Sequence, residues 1–171
     1  METWEALTSR RNVRTYTDEP LAQEDLDRIL EAGRRAPSAS NWQPWDFVLV
    51  TDRETLRELS GVWQGAGHIA GSAATIVLVA PVQDDPDRRD RMRLDIGQAT
   101  MAMMLAAADL GIGSGHAAVS DQERARELLG IPGDRICALL IALGRPADRP
   151  LRPIRRPDRR PFDEVVHVGR W

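Results

Sequence analysis

Hydrophobic and polar positions divide this chain into alternating helix-like and strand-like stretches. Over residues 22–35, Leu26, Ile29, Leu30 and Gly33 fall on one face of a 3.6-residue period, while Glu24, Asp25, Asp27, Arg28 and Glu31 cover the other. The pattern predicts an amphipathic helix, capped by Thr17 or Asp18, entered through Pro20 and stopped by Pro37. Residues 45–50 (Trp-Asp-Phe-Val-Leu-Val) read as a strand, and Asp52 opens a short helix over 53–60. Weaker helices are expected at 3–8 and 63–70. Residues 74–80 (Ala-Thr-Ile-Val-Leu-Val-Ala) and 135–143 are nearly continuous apolar runs, the mark of strands buried on both faces. A helix at 121–129 lies between them.

The longest helix is predicted over about 92–110, after a charge-rich connection from Asp84 to Arg93. Its Ile96, Ala99, Met101, Met103, Met104, Leu105 and Leu110 wrap almost the whole circumference. A helix apolar all round must be covered on all sides. One layer of helices on a small sheet does not do that, so a second subunit is expected against it. Gly111 and Gly113 end the helix. Residues 145–171 are rich in proline and arginine and exclude regular helix. They finish in Phe162, Val165, Val166, Val168 and Trp171, the pattern of an arm that docks on another surface. No internal repeat or domain boundary is visible, so 1–171 reads as a single domain with 145–171 as its arm.

Composition narrows the function classes. With 171 residues, 42% of them hydrophobic and 29% charged, the chain can bury a real core. A formal net charge of −3 gives no general attraction to nucleic acid. No apolar run approaches the roughly 20 residues that span a bilayer, and Glu2 and Glu5 stand where a secretory signal is basic. A cytoplasmic protein with no membrane partner is expected. The basic residues are all arginine. Every cationic contact is therefore a guanidinium, which grips phosphate through a planar fork, and lysine Schiff-base chemistry is excluded. Cys137, the single cysteine, lies in an apolar strand and reads as a buried, inert thiol.

Two stretches near the start carry the chemistry. Arg10, Arg11 and Arg14, with Asn12 among them, form a basic cluster able to hold a phosphate. The competing reading is a solvated face paired with Glu2, Glu5 or Asp18. One helix later, Pro37-Ser38-Ala39-Ser40-Asn41-Trp42-Gln43-Pro44-Trp45 forms a stiff polar turn that exposes backbone and amide groups to a planar heterocycle. It could equally be an ordinary helix-to-strand loop. A phosphate site and a heterocycle site one helix apart suit a nucleotide-like cofactor, here read as a flavin. The glycine-rich Gly111–Ala118 lets backbone approach something flat, but it follows a helix and is not a dinucleotide fingerprint. His116 within it is either an acid–base group or a structural histidine. His68 and His167 have no metal-like spacing with it. Arg155–Pro161 could be a basic tail for nucleic acid, or could return to the phosphate held by Arg10 and Arg14.

As a set, these motifs resemble the nitroreductase family of FMN-dependent oxidoreductases. The matching residues are Arg10-Arg11-Asn12-Val13-Arg14, Ala36 to Trp45, Asp95-Ile96-Gly97-Gln98-Ala99, Gly111-Ile112-Gly113, Arg159 to Val166, and Arg170-Trp171. The resemblance implies an α+β fold with a mostly antiparallel central sheet flanked by helices, in an intertwined homodimer with flavin at the interface. It implies that Arg10, Arg11, Asn12 and Arg14 hold the FMN phosphate and ribityl, with Arg159 joining from the tail. Pro37, Ser38, Ala39, Ser40 and Asn41 would meet the ring from the other subunit. Gln64, Gly115, His116 and Ala117 would complete the cofactor site. NADH or NADPH would donate hydride, and a small electron-poor acceptor such as a nitroaromatic or quinone would receive it. No catalytic side chain and no metal ligand is implied. Two departures stand out: Asn12 replaces a common hydroxyl, and only residues 81–91 join the second strand to the long helix, where the family spends more on a roof over the flavin. A flavin-sequestering protein, or an enzyme of the same fold with other flavin chemistry such as reductive dehalogenation or flavin fragmentation, are the alternatives.

Overall fold

The computed structural model describes residues 2–171. Its centre is one antiparallel sheet of four strands in the order β1-β2-β4-β3: β1 Asp46–Val50, β2 Ala74–Pro81, β3 Gly113–Ala117 and β4 Arg135–Gly144. The apolar runs at 74–80 and 135–143 become the two central strands, as strands hydrophobic on both faces must. They pair from Ala74↔Leu143 to Pro81↔Arg135, with a bulge at Leu78/Val79.

Alternation along the strands sends side chains into two cores. Ile76, Leu78, Ile141 and Leu143 face α2 (Gln23–Arg34) and α4 (Pro86–Asp109), whose Leu26, Ile29, Ile96 and Met103 cover them. Val77, Val79, Leu140 and Ala142 face the opposite way, under Leu56 and Leu59 of α3 (Arg53–Leu59) and Ala125 of α5 (Gln122–Leu129). The α+β architecture with an antiparallel sheet between helices is the one expected. Arg28 on α2 ties itself to Asp109 on α4 at 2.7 Å.

Several local expectations are corrected. The helix over 22–35 has Ala22 at its N-cap, with no side-chain bond, so neither Thr17 nor Asp18 caps it. The long helix begins at Pro86, not near residue 92. Asp85 caps it by accepting from the Arg88 N–H at 2.9 Å, and Pro86 occupies its first turn. Only residues 82–85 therefore separate β2 from α4. The weak helix at 63–70 resolves into turns and a short 3-10 segment, Gly67–Gly71. The glycine-rich stretch after α4 is a strand, β3. The arm holds one turn of helix, α6 (Phe162–Val165), in otherwise irregular chain.

The exposed surface of α4 follows from its composition. Leu94 and Met101 stay 65% and 42% exposed, so the apolar circumference is not covered within the chain. Phe162, Val165, Val166, Val168 and Trp171 are likewise exposed on the arm. Where β3 ends, the side chain of Gln122 takes over as neighbour of β4: it accepts from the Cys137 N–H and donates to the Cys137 carbonyl, both at 2.9 Å. Burial pushes the Cys137 thiol up to about 11, which keeps it protonated.

Leu140 is fully buried at the centre of the second core. Leu140→Ala is expected to cost about 2–5 kcal/mol, read as a shift in the chemical-denaturation midpoint.

Candidate cofactor site

The site is built around an extended segment, residues 10–17, that follows α1 (Thr3–Ser9). Arg10 itself is extended, with φ −63° and ψ 129°. Asn12 forms a parallel bridge with Ser114, and the Val13 N–H donates to the Ser114 carbonyl at 2.9 Å. On its other flank the segment is tied to the chain after β4, through Thr17 N–H to Arg145 O at 2.9 Å and Ala147 N–H to Thr15 O at 3.0 Å. Val13 is completely buried against β3. It fits because Gly113 has no side chain: a Cβ there would lie 2.7 Å from a Val13 methyl. A Cβ on Gly115 would collide with the Val13 carbonyl oxygen. That carbonyl accepts from the Tyr16 hydroxyl at 2.7 Å, and burial holds this hydroxyl protonated.

In extended chain, successive side chains point to opposite sides. Arg10, which lines a cleft with His116, therefore separates from Arg11. Arg11 is 14% exposed and turns to the arm, donating to the Asp148 carboxylate and the Arg149 carbonyl, each at 2.7 Å. It shares a cavity of about 410 Å³ with Arg149, Arg152 and Arg155. Among the described residues, no carboxylate pairs with Arg10 or Arg14. Asp18, Glu2 and Glu5 do not neutralise them. Arg10 and His116 meet on one cleft of about 540 Å³, floored by Met92, Ile96, Met104 and Leu139. Gly115 and Ala117 are buried beside it in β3. Arg159 lies exposed on the arm, donating to the Asp158 carbonyl at 2.5 Å, and is not brought to Arg10 or Arg14 within the chain. Gln64 is exposed and has no hydrogen-bond partner among the described residues.

His68 is the residue sequence reasoning passed over. Its Nε2 lies 3.3 Å from the Gly115 carbonyl. Burial, reinforced by the charges of Arg14 and His116 and opposed by hydrogen bonds to Gly115 and Gly65, holds its pKa below the ordinary value. Spacing gave no sign of it, because 47 residues separate it from Gly115.

The polar turn after α2 is unusual in its backbone. Ser40, Asn41 and Gln43 have φ of 52°, 56° and 52°, three non-glycine residues in the left-handed region. Each such residue costs on the order of 1–3 kcal/mol and persists only where surroundings over-determine it. Here Ser38 Oγ accepts from Gln43 N–H at 2.9 Å, Asn41 N–H bonds the Ser38 carbonyl at 3.0 Å, and Pro44 and Trp45 anchor the exit in the core. Asp95 on α4, 1% exposed, accepts from the Ala39 N–H at 3.1 Å. Arg88 sits 5.1 Å from the Trp42 ring centre. The turn lines neither the Arg10 cleft nor the Arg11 cavity.

Comparison with known proteins decides what this geometry belongs to. The model of the nitroreductase family matches residues 7–66 and 61–145. The chain belongs to the nitroreductase family. A nitroreductase-family relative from Archaeoglobus fulgidus, named for NADH dehydrogenase and NAD(P)H nitroreductase, is 34% identical over 96% of both chains. The NADH dehydrogenase of Thermus thermophilus is 31% identical, over 84% of this chain and 86% of its own. Among solved structures, an FMN-dependent nitroreductase from Clostridium difficile superposes with a TM-score of 0.84 at 26% identity, covering 97% of this chain and 98% of that one. Its nitroreductase fold is thus shared nearly end to end.

A histidine harder to protonate folded than unfolded stabilises the fold above its ordinary pKa of 6.5, and that contribution is lost as pH falls. His68→Gln is expected to flatten the loss of stability between pH 7.5 and 5.5, measured by denaturant midpoints at each pH.

Proposed function

We propose that this nitroreductase is an FMN-dependent oxidoreductase. It takes hydride from NADH or NADPH and passes electrons to a small electron-poor acceptor such as a nitroaromatic or quinone. The observation that carries the reading is the pair of guanidiniums, Arg10 and Arg14, which have no carboxylate partner among the described residues. A phosphate dianion needs cations not already neutralised, and this donor set fits one. When bound, FMN supplies the redox chemistry itself.

The chain's residues then divide the remaining work. Arg10, Asn12 and Arg14 hold the phosphate and ribityl. Arg11 supports them indirectly, by fixing the start of the arm through Asp148. With FMN bound, Gly115, His116 and Ala117 would bring backbone up to the ring, and Gln64 would contact it. Pro37, Ser38, Ala39, Ser40 and Asn41 present backbone donors and acceptors to the ring from a second subunit, since within one chain this turn shares no cavity with Arg10. Arg159 enters from the arm once the arm has docked. The backbone N–H groups and guanidiniums stabilise negative charge where it develops on the cofactor, and no side chain acts as a proton-transfer catalyst.

A homodimer accounts for two otherwise unexplained surfaces, the open apolar face of α4 and the apolar arm of residues 145–171. The protein operates as a single nitroreductase-like domain per subunit, in the cytoplasm. We propose no nucleic-acid or membrane partner, on the formal net charge of −3. No described helix is long and apolar enough to cross a bilayer.

The test is an absorbance spectrum of purified protein followed by anaerobic titration with each nicotinamide. Yellow protein that bleaches, and recolours on adding a quinone, is the expected result. Colour without bleaching would favour sequestration instead. Arg14→Ala should weaken FMN binding roughly ten- to a hundredfold, as expected for losing a charged hydrogen bond of about 1.5–3 kcal/mol; unchanged affinity by fluorescence titration refutes the assignment. Sedimentation of the flavin-loaded protein at micromolar concentration should give a dimer mass.

A further inference from the structure

We propose that Asp95 is a positioning residue for the cofactor: from inside the core it fixes the backbone of the flavin-facing turn. The proposal rests on the FMN reading above and deepens it.

Asp95 is an anomaly in its setting. It is an acid 1% exposed, in the middle of a helix whose neighbours at that depth are Met92, Ile96 and Ala99. No ion pair reaches it among the described residues. A buried carboxylate in such a place must be satisfied by hydrogen bonds, and its donors are few. Gln98, one turn on, donates weakly at 3.3 Å. The other donor is the Ala39 N–H, which lies 3.2 Å and 3.1 Å from the two carboxylate oxygens. Ala39 opens the short 3-10 turn, and the next two residues are in the left-handed region. The carboxylate therefore grips the turn at the last residue before its strain begins.

That placement gives the grip a purpose. Left-handed Ser40 and Asn41 relax to ordinary backbone if the turn is free to move. Relaxation re-aims the backbone of residues 40 and 41, which the Ala39 anchor otherwise holds. A hydrophobic residue at position 95 would leave the Ala39 N–H unheld. The acid is on α4, the helix that leaves Met101 42% exposed and that, on the reading above, faces a second subunit. One helix therefore sets both the subunit surface and the turn that reaches across it.

The experiment compares two substitutions at one position with a control on the same helix. Asp95→Ala removes the acceptor of the Ala39 N–H, and Asp95→Asn keeps the volume and leaves a weaker acceptor. Asp95→Ala is expected to weaken FMN binding at least tenfold by fluorescence titration and to shift the visible absorption bands of the remaining bound flavin, with a smaller change in the same direction for Asp95→Asn. Thr100→Val, which removes a buried hydroxyl bonded to the Ile96 carbonyl one turn on, should lower stability and leave FMN affinity and spectrum unchanged. Two results overturn the proposal: FMN affinity and spectrum unchanged in folded Asp95→Ala, even if its melting temperature falls, or an equal loss of FMN affinity in Thr100→Val. If Asp95→Ala does not fold, Asp95→Asn decides by the same readouts. A colourless wild-type protein that refuses FMN would instead sink the underlying flavin reading, and is recorded before any variant is made.

Discussion

An extended segment can lie against the end strand of this sheet only because that strand carries almost no side chains where the segment passes. Gly113 and Gly115 leave room for Val13, and Gly144 leaves room for the Tyr16 ring, whose nearest atoms would stand 2.7 and 2.9 Å from any Cβ there. Once Val13 is seated, the two-residue period of extended chain dictates the rest. Arg10 and Asn12 are committed to one side and Arg11 to the other. The phosphate anchor we propose is thus a product of register: a shift by one residue would exchange the two sets and bury an arginine where Val13 now lies.

The turn after α2 is governed by an opposing logic. Its backbone sits in conformations that its own sequence does not favour, since serine and glutamine have no particular tolerance for positive φ. It is held by neighbours: a carboxylate beneath, a guanidinium over Trp42, and Pro44 and Trp45 locked into the core. Strain retained in this way pre-organises hydrogen-bonding groups and spares a ligand the entropy of ordering them.

Much of this was legible from residue patterns, for identifiable reasons. The central strands announce themselves because runs of seven to nine residues, nearly all apolar, have few alternatives to burial on both faces. Asp52 as a helix cap is local chemistry, and the structure shows it accepting from Thr55. What escaped was tertiary in origin. Gly113-Ser114-Gly115-His116-Ala117 has poor strand propensity, and it forms a strand because Leu140 to Gly144 and Val13 flank it. The first two turns of α4 carry charge rather than an apolar stripe, so periodicity missed them; the Asp85-Pro86 start signal was present but outweighed. The separation of Arg11 from Arg10 depends on register, which composition does not encode. His68 and Asp95 are brought to their partners by packing across long sequence separations, although an aspartate in an otherwise apolar stripe was itself a clue.

The amide of Gln122 has a wider significance for solubility. Beyond Ala117, β4 has lost its outer neighbour, and a bare stretch of strand is an invitation to intermolecular stacking. A side-chain amide offers the same donor and acceptor as a peptide group, so Gln122 occupies both the N–H and the C=O of Cys137 as a strand would, without extending the sheet. It also welds the first turn of α5 to that margin. A molecule whose arm and long helix leave so much apolar surface exposed is thereby discouraged from polymerising through its sheet.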